Sequence, residues 1–278
     1  MSLEIKHSSF GQLSNLADSL VIEISDSTIK FCELEKEKHT PYFICEFPID
    51  QNSNLNIVPS LAQAIKHFQF SKKNYSHVYI NYFTAKFTLC PTAYYQAENN
   101  RSLLEFNVGS ILDGVIIVDE VNPEMKLIYS IDESIKSTID LLFPNHQIKH
   151  SLSVLGKLML TSEELVKENI LLSIQSNYIE IIVKQNQKIV LANQYSVKTA
   201  EDVLYFLLFI LEQYQLNPLT AQIMVVGNLD TQDELIVSIK KYIKNIRLAL
   251  GNKHLVWTNI SGMPQHFNYS LLNRIFCE

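Results

Sequence analysis

The sequence predicts an α/β fold made of two copies of one β-β-β-α-β unit. Three apolar segments separated by short polar turns, followed by a helix and a fourth strand, run from residue 20 to 82. The same order recurs from 169 to 227, about 150 residues further on. Glycine is scarce, with 7 among 278 residues, where average usage near 7% would give roughly three times as many.

In the first unit, Leu20-Val-Ile-Glu-Ile-Ser reads as a strand and Asp26-Ser27 as its polar turn. Thr28-Ile-Lys-Phe-Cys-Glu-Leu alternates with period two, as a strand pairing along one face must. Beyond the charged turn Glu35–His39, Tyr42-Phe-Ile-Cys-Glu-Phe is the third strand. Leu61, Ile65 and Phe68 then share one helix face, and His77-Val-Tyr-Ile-Asn-Tyr closes the unit.

The second unit opens on Asn169-Ile-Leu-Leu-Ser-Ile and turns at Gln175-Ser-Asn. Tyr178-Ile-Glu-Ile-Ile-Val-Lys and Lys188-Ile-Val-Leu-Ala-Asn-Gln-Tyr, parted by Gln185-Asn-Gln, are its next strands. A helix from about Ala200 to Gln215 starts with a capping box, Thr199 and Asp202. Its stretch Val203–Leu211 is apolar all round, which predicts burial between layers. After Pro218 come the strand Gln222-Ile-Met-Val-Val-Gly and a helix from Thr231 to Lys244, with Leu235, Ile236, Ile239 and Ile243 inward.

Between the repeats, Val115–Asp119 and Lys126–Ser130 are strands. A helix follows, carrying Ile135, Ile139 and Leu142, and Pro144-Asn-His ends it. These read as a β-β-α-β insertion over about residues 100–150. The expected domains are 1–164, including that insertion, and 165–278, with a helix from Ser151 to Leu160 passing between them. The apolar tail from Phe267 is expected to dock on the second domain.

Composition excludes several function classes. No G-x-G-x-x-G, G-x-x-x-x-G-K or G-x-S-x-G occurs, so the enzymes that depend on those glycine turns are set aside. The net charge of −6 argues against a nucleic-acid partner. The longest apolar run is nine residues, Val203–Leu211, so no segment matches the ~20 residues of a membrane-spanning helix. The start Met-Ser-Leu-Glu-Ile-Lys-His has no basic-then-apolar leader, which predicts a cytoplasmic protein. Cys32, Cys45, Cys90 and Cys277 lack C-x-x-C spacing and read as buried thiols in a reducing compartment.

Three antiparallel strands, then helix, strand and helix, given twice, resemble the ribonuclease-H-like domains of the actin-like ATPase superfamily. Leu20-Val-Ile-Glu-Ile-Ser-Asp-Ser-Thr-Ile-Lys-Phe-Cys-Glu-Leu is similar to the first phosphate hairpin of its pilus-assembly and cell-division members. Those carry Asp where Glu23 stands, Gly at Ser25 and Lys at Lys30. Val190-Leu-Ala-Asn-Gln-Tyr-Ser-Val-Lys-Thr-Ala-Glu-Asp-Val-Leu-Tyr-Phe-Leu-Leu resembles the signature of an uncharacterised Bacteroidetes family, actin-like in fold and of unknown function. The resemblance implies two mixed five-stranded sheets with helices, a small α+β insertion, and a nucleotide between the halves.

An active member of the superfamily orients magnesium waters with a carboxylate, and Glu23 is the candidate, acting through water and one methylene longer than Asp. Its phosphate hairpin is glycine-rich so that amides face the anion. Here the tip is Ser25-Asp26-Ser27, and Asp26 would repel a phosphate. The second hairpin offers Ser173, Gln175 and Ser176, with neither carboxylate nor glycine. The adenosine loop keeps Gly227 followed by Asn228. Glu105 and Glu120 are the carboxylates considered for aligning an attacking water, and nothing anchors either. The plainer reading makes Glu23 and Lys30 a cross-strand charge pair on an exposed hairpin face, Gly227 a strand-to-helix turn, and the serines ordinary turn formers.

Other groupings carry less. His146 and His150 have the i, i+4 spacing of a helical metal pair but fall on a loop and a strand. Lys240, Lys241, Lys244, Arg247 and Lys253 read as a solvated face. Tyr82, Phe83, Phe87, Tyr94 and Tyr95 surround Pro91 as a partner patch or as core. The expectation is a non-catalytic scaffold or adaptor that binds another protein or itself and needs no cofactor. The alternative is an ATPase or kinase using Mg·ATP through atypical loops.

Overall fold

The computed structural model describes residues 8–49, 57–229, 233–260 and 262–277. The chain forms two units by its contacts. The first comprises residues 1–154, 253–263 and 270–278, and the second comprises 155–252 and 264–269.

The first unit contains β1 (Ser8–Gly11), β2 (Ser19–Ile24), β3 (Thr28–Glu35), β4 (Thr40–Pro48), α1 (Ile57–Phe68) and β5 (His77–Tyr82). Then come β6 (Phe87–Pro91), α2 (Asn100–Val108), β7 (Gly114–Asn122), β8 (Met125–Asp132), α3 (Glu133–Leu142) and β9 (His146–His150). Its large sheet has the order β1-β4-β3-β2-β5-β9. β2, β3 and β4 are antiparallel, whereas β5 and β9 continue parallel to β2. All six residues of β2 are buried, as a strand covered on both faces requires.

A helix α4 (Ser151–Thr161) leads into β10 (Ile170–Ile174), β11 (Tyr178–Gln185), β12 (Lys188–Ser196), α5 (Ala200–Gln213), β13 (Gln222–Gly227), α6 (Glu234–Lys240) and β14 (Asn245–Leu248). The second sheet runs β12-β11-β10-β13-β14. Strand for strand this repeats β4-β3-β2-β5-β9, with the same directions. Leu172, Ile181 and Val225 on one sheet face pack with Val203, Leu207 and Ile210 of α5 and with Ile236 and Ile239 of α6. A last helix, α7, spans Tyr269–Asn273.

The duplicated fold predicted from the sequence is the fold observed, and the capping box at Thr199 is formed. Several elements differ from expectation. β9 completes the large sheet beside β5, so the three-stranded insertion sheet β6-β8-β7 draws on residues 87–132. α5 is not enclosed: Tyr205 is 63% and Phe209 47% exposed, because one sheet face and α6 cover only part of its circumference. α6 is shorter than the expected helix, since the Asp233 side chain accepts from Leu235 N and the chain has become β14 by Asn245. Thr231, the expected start, lies outside the described residues. The tail divides between units: from Ser270 onward it belongs to the first, where Leu271, Leu272 and Cys277 are buried and Lys149 Nζ donates to Cys277 O at 2.6 Å.

The β11–β12 turn places Asn186 and Gln187 at φ 51° and 61°, a left-handed conformation that costs a residue with a side chain about 1–2 kcal/mol. Gln187→Gly should therefore raise stability by up to about 1 kcal/mol, read as a higher urea midpoint. An unchanged or lower midpoint would show that this turn is not strained.

Candidate functional site

In the first unit the register sets Glu23 opposite Lys30 on β3 and beside Asn81 on parallel β5. Lys30 Nζ lies 3.4 Å from Glu23 Oε1, and both side chains are buried. The charge pair therefore exists, but in the interior rather than on an exposed face, because β2 is covered on both sides. Ser270 of α7 donates its hydroxyl to Glu23 Oε2, and Asn81 Nδ2 donates to Ser270 O at 3.2 Å.

The β2–β3 turn is closed by its own first residue. Ser25 N donates to Thr28 O at 2.9 Å. The Ser25 hydroxyl accepts from Thr28 N at 2.9 Å and from Ser27 N at 3.3 Å. These are the amides that a phosphate-binding hairpin would turn toward the anion. Asp26 at the tip is exposed.

In the second unit Ser173 faces Glu180, the positions equivalent to Glu23 and Lys30, and both are buried. Gln175 Nε2 donates to Ser173 Oγ at 3.2 Å, folding the turn residue back on its strand, while Ser176 is exposed. Gly227 has φ 134°, and a Cβ there would sit 2.4 Å from Ile174 O. Glycine is required by that approach of β13 to β10. Gly227 N donates to His266 O at 3.1 Å, and Asn228 is exposed.

The remaining candidates scatter. Glu105 accepts from Ile111 N at 3.2 Å and pairs with Arg101, and Glu120 pairs with Lys126 at 3.7 Å, all within the insertion. Tyr82 and Phe83 are buried and Tyr94 is exposed, so the aromatic group does not form one surface. The basic stretch is divided: Lys253 belongs to the first unit, and Arg247 on β14 donates to Glu168 at 2.7 Å. Among the described residues no three His, Cys, Asp or Glu side chains are placed to hold a metal, and no helix is long and apolar enough to cross a membrane.

Sequence reading missed one buried ionisable pair. His150 N donates to Asp119 Oδ2 at 2.7 Å. Leu152 N donates to His150 Nδ1 at 3.1 Å, so the ring proton sits on Nε2, 2.9 Å from Thr84 O. Burial lowers the His150 imidazole to about 4 and raises the Asp119 carboxyl to about 6. The sequence flagged His150 only for its spacing from His146, and Asp119 only as a charged residue ending an apolar strand, which marks turns as often as sites.

Two copies of this strand order, with the first carrying an insertion before its last strand, define a protein of the actin-like ATPase fold. Residues 7–246 match the DUF3822 family of proteins of unknown function, and the chain belongs to that family. A Bacteroides thetaiotaomicron protein with actin-like ATPase fold and unknown function is similar at 18% identity and TM-score 0.79, over 96% of this chain and all of that one. The PilM–PilN type IV pilus biogenesis complex gives 11% identity and TM-score 0.62, over 94% of this chain and 99% of that one. No curated protein matches the sequence.

Two outcomes follow. Lys30→Met should strand the Glu23 charge in the interior and cost about 3–5 kcal/mol of unfolding free energy, with Glu23→Gln added to it restoring most of that. No recovery in urea melts of the double variant would show that the pair is not what holds this position. Asp119, protonated in the folded state from about pH 6 and in the unfolded chain only near 3.8, makes the folded state bind more protons in between, so its contribution to stability grows as pH falls. His150, lowered from 6.5 to about 4, acts the opposite way: the unfolded chain takes its proton first. Wild type should therefore gain about 3 kcal/mol relative to Asp119→Asn as pH drops through that window, and parallel pH profiles would refute this assignment.

Proposed function

We propose that this chain is a non-catalytic scaffold or adaptor on an actin-like fold that works by binding another protein. The observation that carries the reading is that the groups a magnesium nucleotide would need are already engaged within the chain. Glu23 is held by Lys30 and Ser270, the Ser27 and Thr28 amides by Ser25 Oγ, and the Gly227 amide by His266 O. The second hairpin brings Ser173 and Gln175 instead of a carboxylate and glycine. Residues so engaged do not fit Mg·ATP. A partner protein suits the fold, since a similar solved structure is the PilM–PilN complex. A reducing, cytoplasmic setting suits four buried cysteine thiols.

One observation favours an ATPase or kinase of the same fold: a carboxylate and a lysine stand together at the first hairpin. Calorimetric titration with Mg·ATP separates the two readings. The scaffold reading expects no binding heat and no phosphate release. Micromolar affinity, with phosphate release abolished by Glu23→Ala, would replace it with the enzyme reading.

A further inference from the structure

The outer edge of the second sheet is open where the equivalent edge of the first is closed. Glu23, Lys30 and Glu46 stand in one row across β2, β3 and β4, as Ser173, Glu180 and Gln194 do across β10, β11 and β12. Tyr42, Ile44 and Glu46 of β4 are therefore the equivalents of Val190, Ala192 and Gln194 of β12. β1 closes the β4 edge antiparallel, with Ser8 opposite Glu46, Phe10 opposite Ile44, and Gln12 N donating to Tyr42 O at 2.9 Å. β12 ends its own sheet, and among the described residues no strand pairs with its outer side. Both edge strands bulge at the same place, Tyr42 in one and Val190 in the other, so the bulge does not bar a further strand.

The main-chain groups of this edge face away from the sheet. Val197 N donates to Asn177 O at 3.0 Å across the β11–β12 ladder, which turns the N–H and C=O of Gln194 and Ala192 outward. Two half-buried side chains cap part of the row. Asn193 Oδ1 accepts from Gln194 N at 2.9 Å, and the Tyr214 hydroxyl donates to Val190 O at 3.3 Å, as Gln12 N does to Tyr42 O. A row of outward main-chain donors and acceptors is a template for another strand.

The geometry points to β12 of a second copy as that strand, antiparallel about a two-fold axis at Ala192. In this register Gln194, Ala192 and Val190 of the copy take the places that Gln12, Phe10 and Ser8 occupy on β4. Each Gln194 N–H then meets a Val190 carbonyl and each Ala192 N–H an Ala192 carbonyl, the reciprocity of an isologous contact. The side chains permit it. The residue on the axis must face itself, and it is alanine; the two copies of Lys188, the one charge on the strand, lie at opposite ends of the seam. A chain of net charge −6 thus sets no like charges against each other there. β7, an edge strand of equal length, carries Asp119 and Glu120 instead. The inference deepens the protein-binding reading and names the chain itself as a partner.

Sedimentation velocity of the full chain over a concentration series tests it. Wild type is expected to form a dimer that dissociates on dilution, because each copy gives up its two caps to form the seam. Gln194→Pro removes an outward N–H and leaves the β11 ladder its donors. It should weaken association at least tenfold with an unchanged circular dichroism spectrum. Asn193→Ala removes a cap that competes with the incoming strand and should tighten association several-fold; this variant decides the matter if the proline variant misfolds. A monomer at every concentration, a folded Gln194→Pro variant that dimerises as well as wild type, an Asn193→Ala variant that dimerises no better, or open-ended assembly would each overturn the proposal. Mg·ATP binding in the calorimeter would instead remove the non-catalytic reading and leave the β12 seam standing.

Discussion

A carboxylate in the middle of a fully buried strand is the constraint on which the first unit turns. Glu23 sits in β2 with no solvent to stabilise its charge, and an isolated ion there would be untenable. Lys30 answers it across the hairpin, Ser270 from the tail, and Asn81 fixes Ser270 from the neighbouring strand. One charge thus fixes three things at once: the β2–β3 register, the placement of β5, and where the tail must return. A one-residue slip of β3 would turn Lys30 to the other face and leave Glu23 bare.

The second unit keeps the backbone and changes the electrostatics. Ser173 replaces the carboxylate, and the register partner is an acid, Glu180, instead of a lysine. The buried lysine of this unit lies further along β11: Lys184 Nζ donates to the carbonyls of Met159, Leu165 and Val166, at and beyond the end of α4. A cation at a helix C-terminus meets the negative end of the backbone dipole and its orphan carbonyls. Each half therefore has a buried cation, used in one to neutralise a side chain and in the other to terminate a helix. The duplication preserves shape without preserving any common ligand chemistry between the two hairpins.

What was legible in the sequence was whatever is written locally. Apolar segments between polar turns, alternating with period two in β3 and β11, marked the strands from β2 to β5 and from β10 to β13, and Thr199 with Asp202 marked the start of α5. The four- or five-residue strands β1, β6 and β14 carry too little pattern to separate from turns, and β6 ends in proline. An apolar run such as Val203–Leu211 reports that a helix is buried but not on how many sides, and the structure leaves Tyr205 and Phe209 in solvent. At the site, Glu23, Lys30, Ser25 and Gly227 were all legible as residues. Their occupancy was not: Ser270 lies 247 positions from Glu23, and only tertiary folding joins them.

The glycine deficit has a structural counterpart at the turns. Asn186, Gln187, His39, Gln69, Gln215 and Asn268 take positive φ without being glycine, so scarce glycine did not deprive the fold of its turns. It changed what those turns can offer. A glycine hairpin leaves its amides facing outward, whereas at the first hairpin the Ser25 hydroxyl closes the turn by accepting from the Ser27 and Thr28 amides. Anion and hydroxyl compete for the same donors, and an intramolecular acceptor on a fixed backbone has the entropic advantage over one arriving from solution. Gly227 is required on packing grounds, because Ile174 O occupies the space a side chain would need. At the first hairpin the missing glycine and the internally capped amides are thus one physical fact.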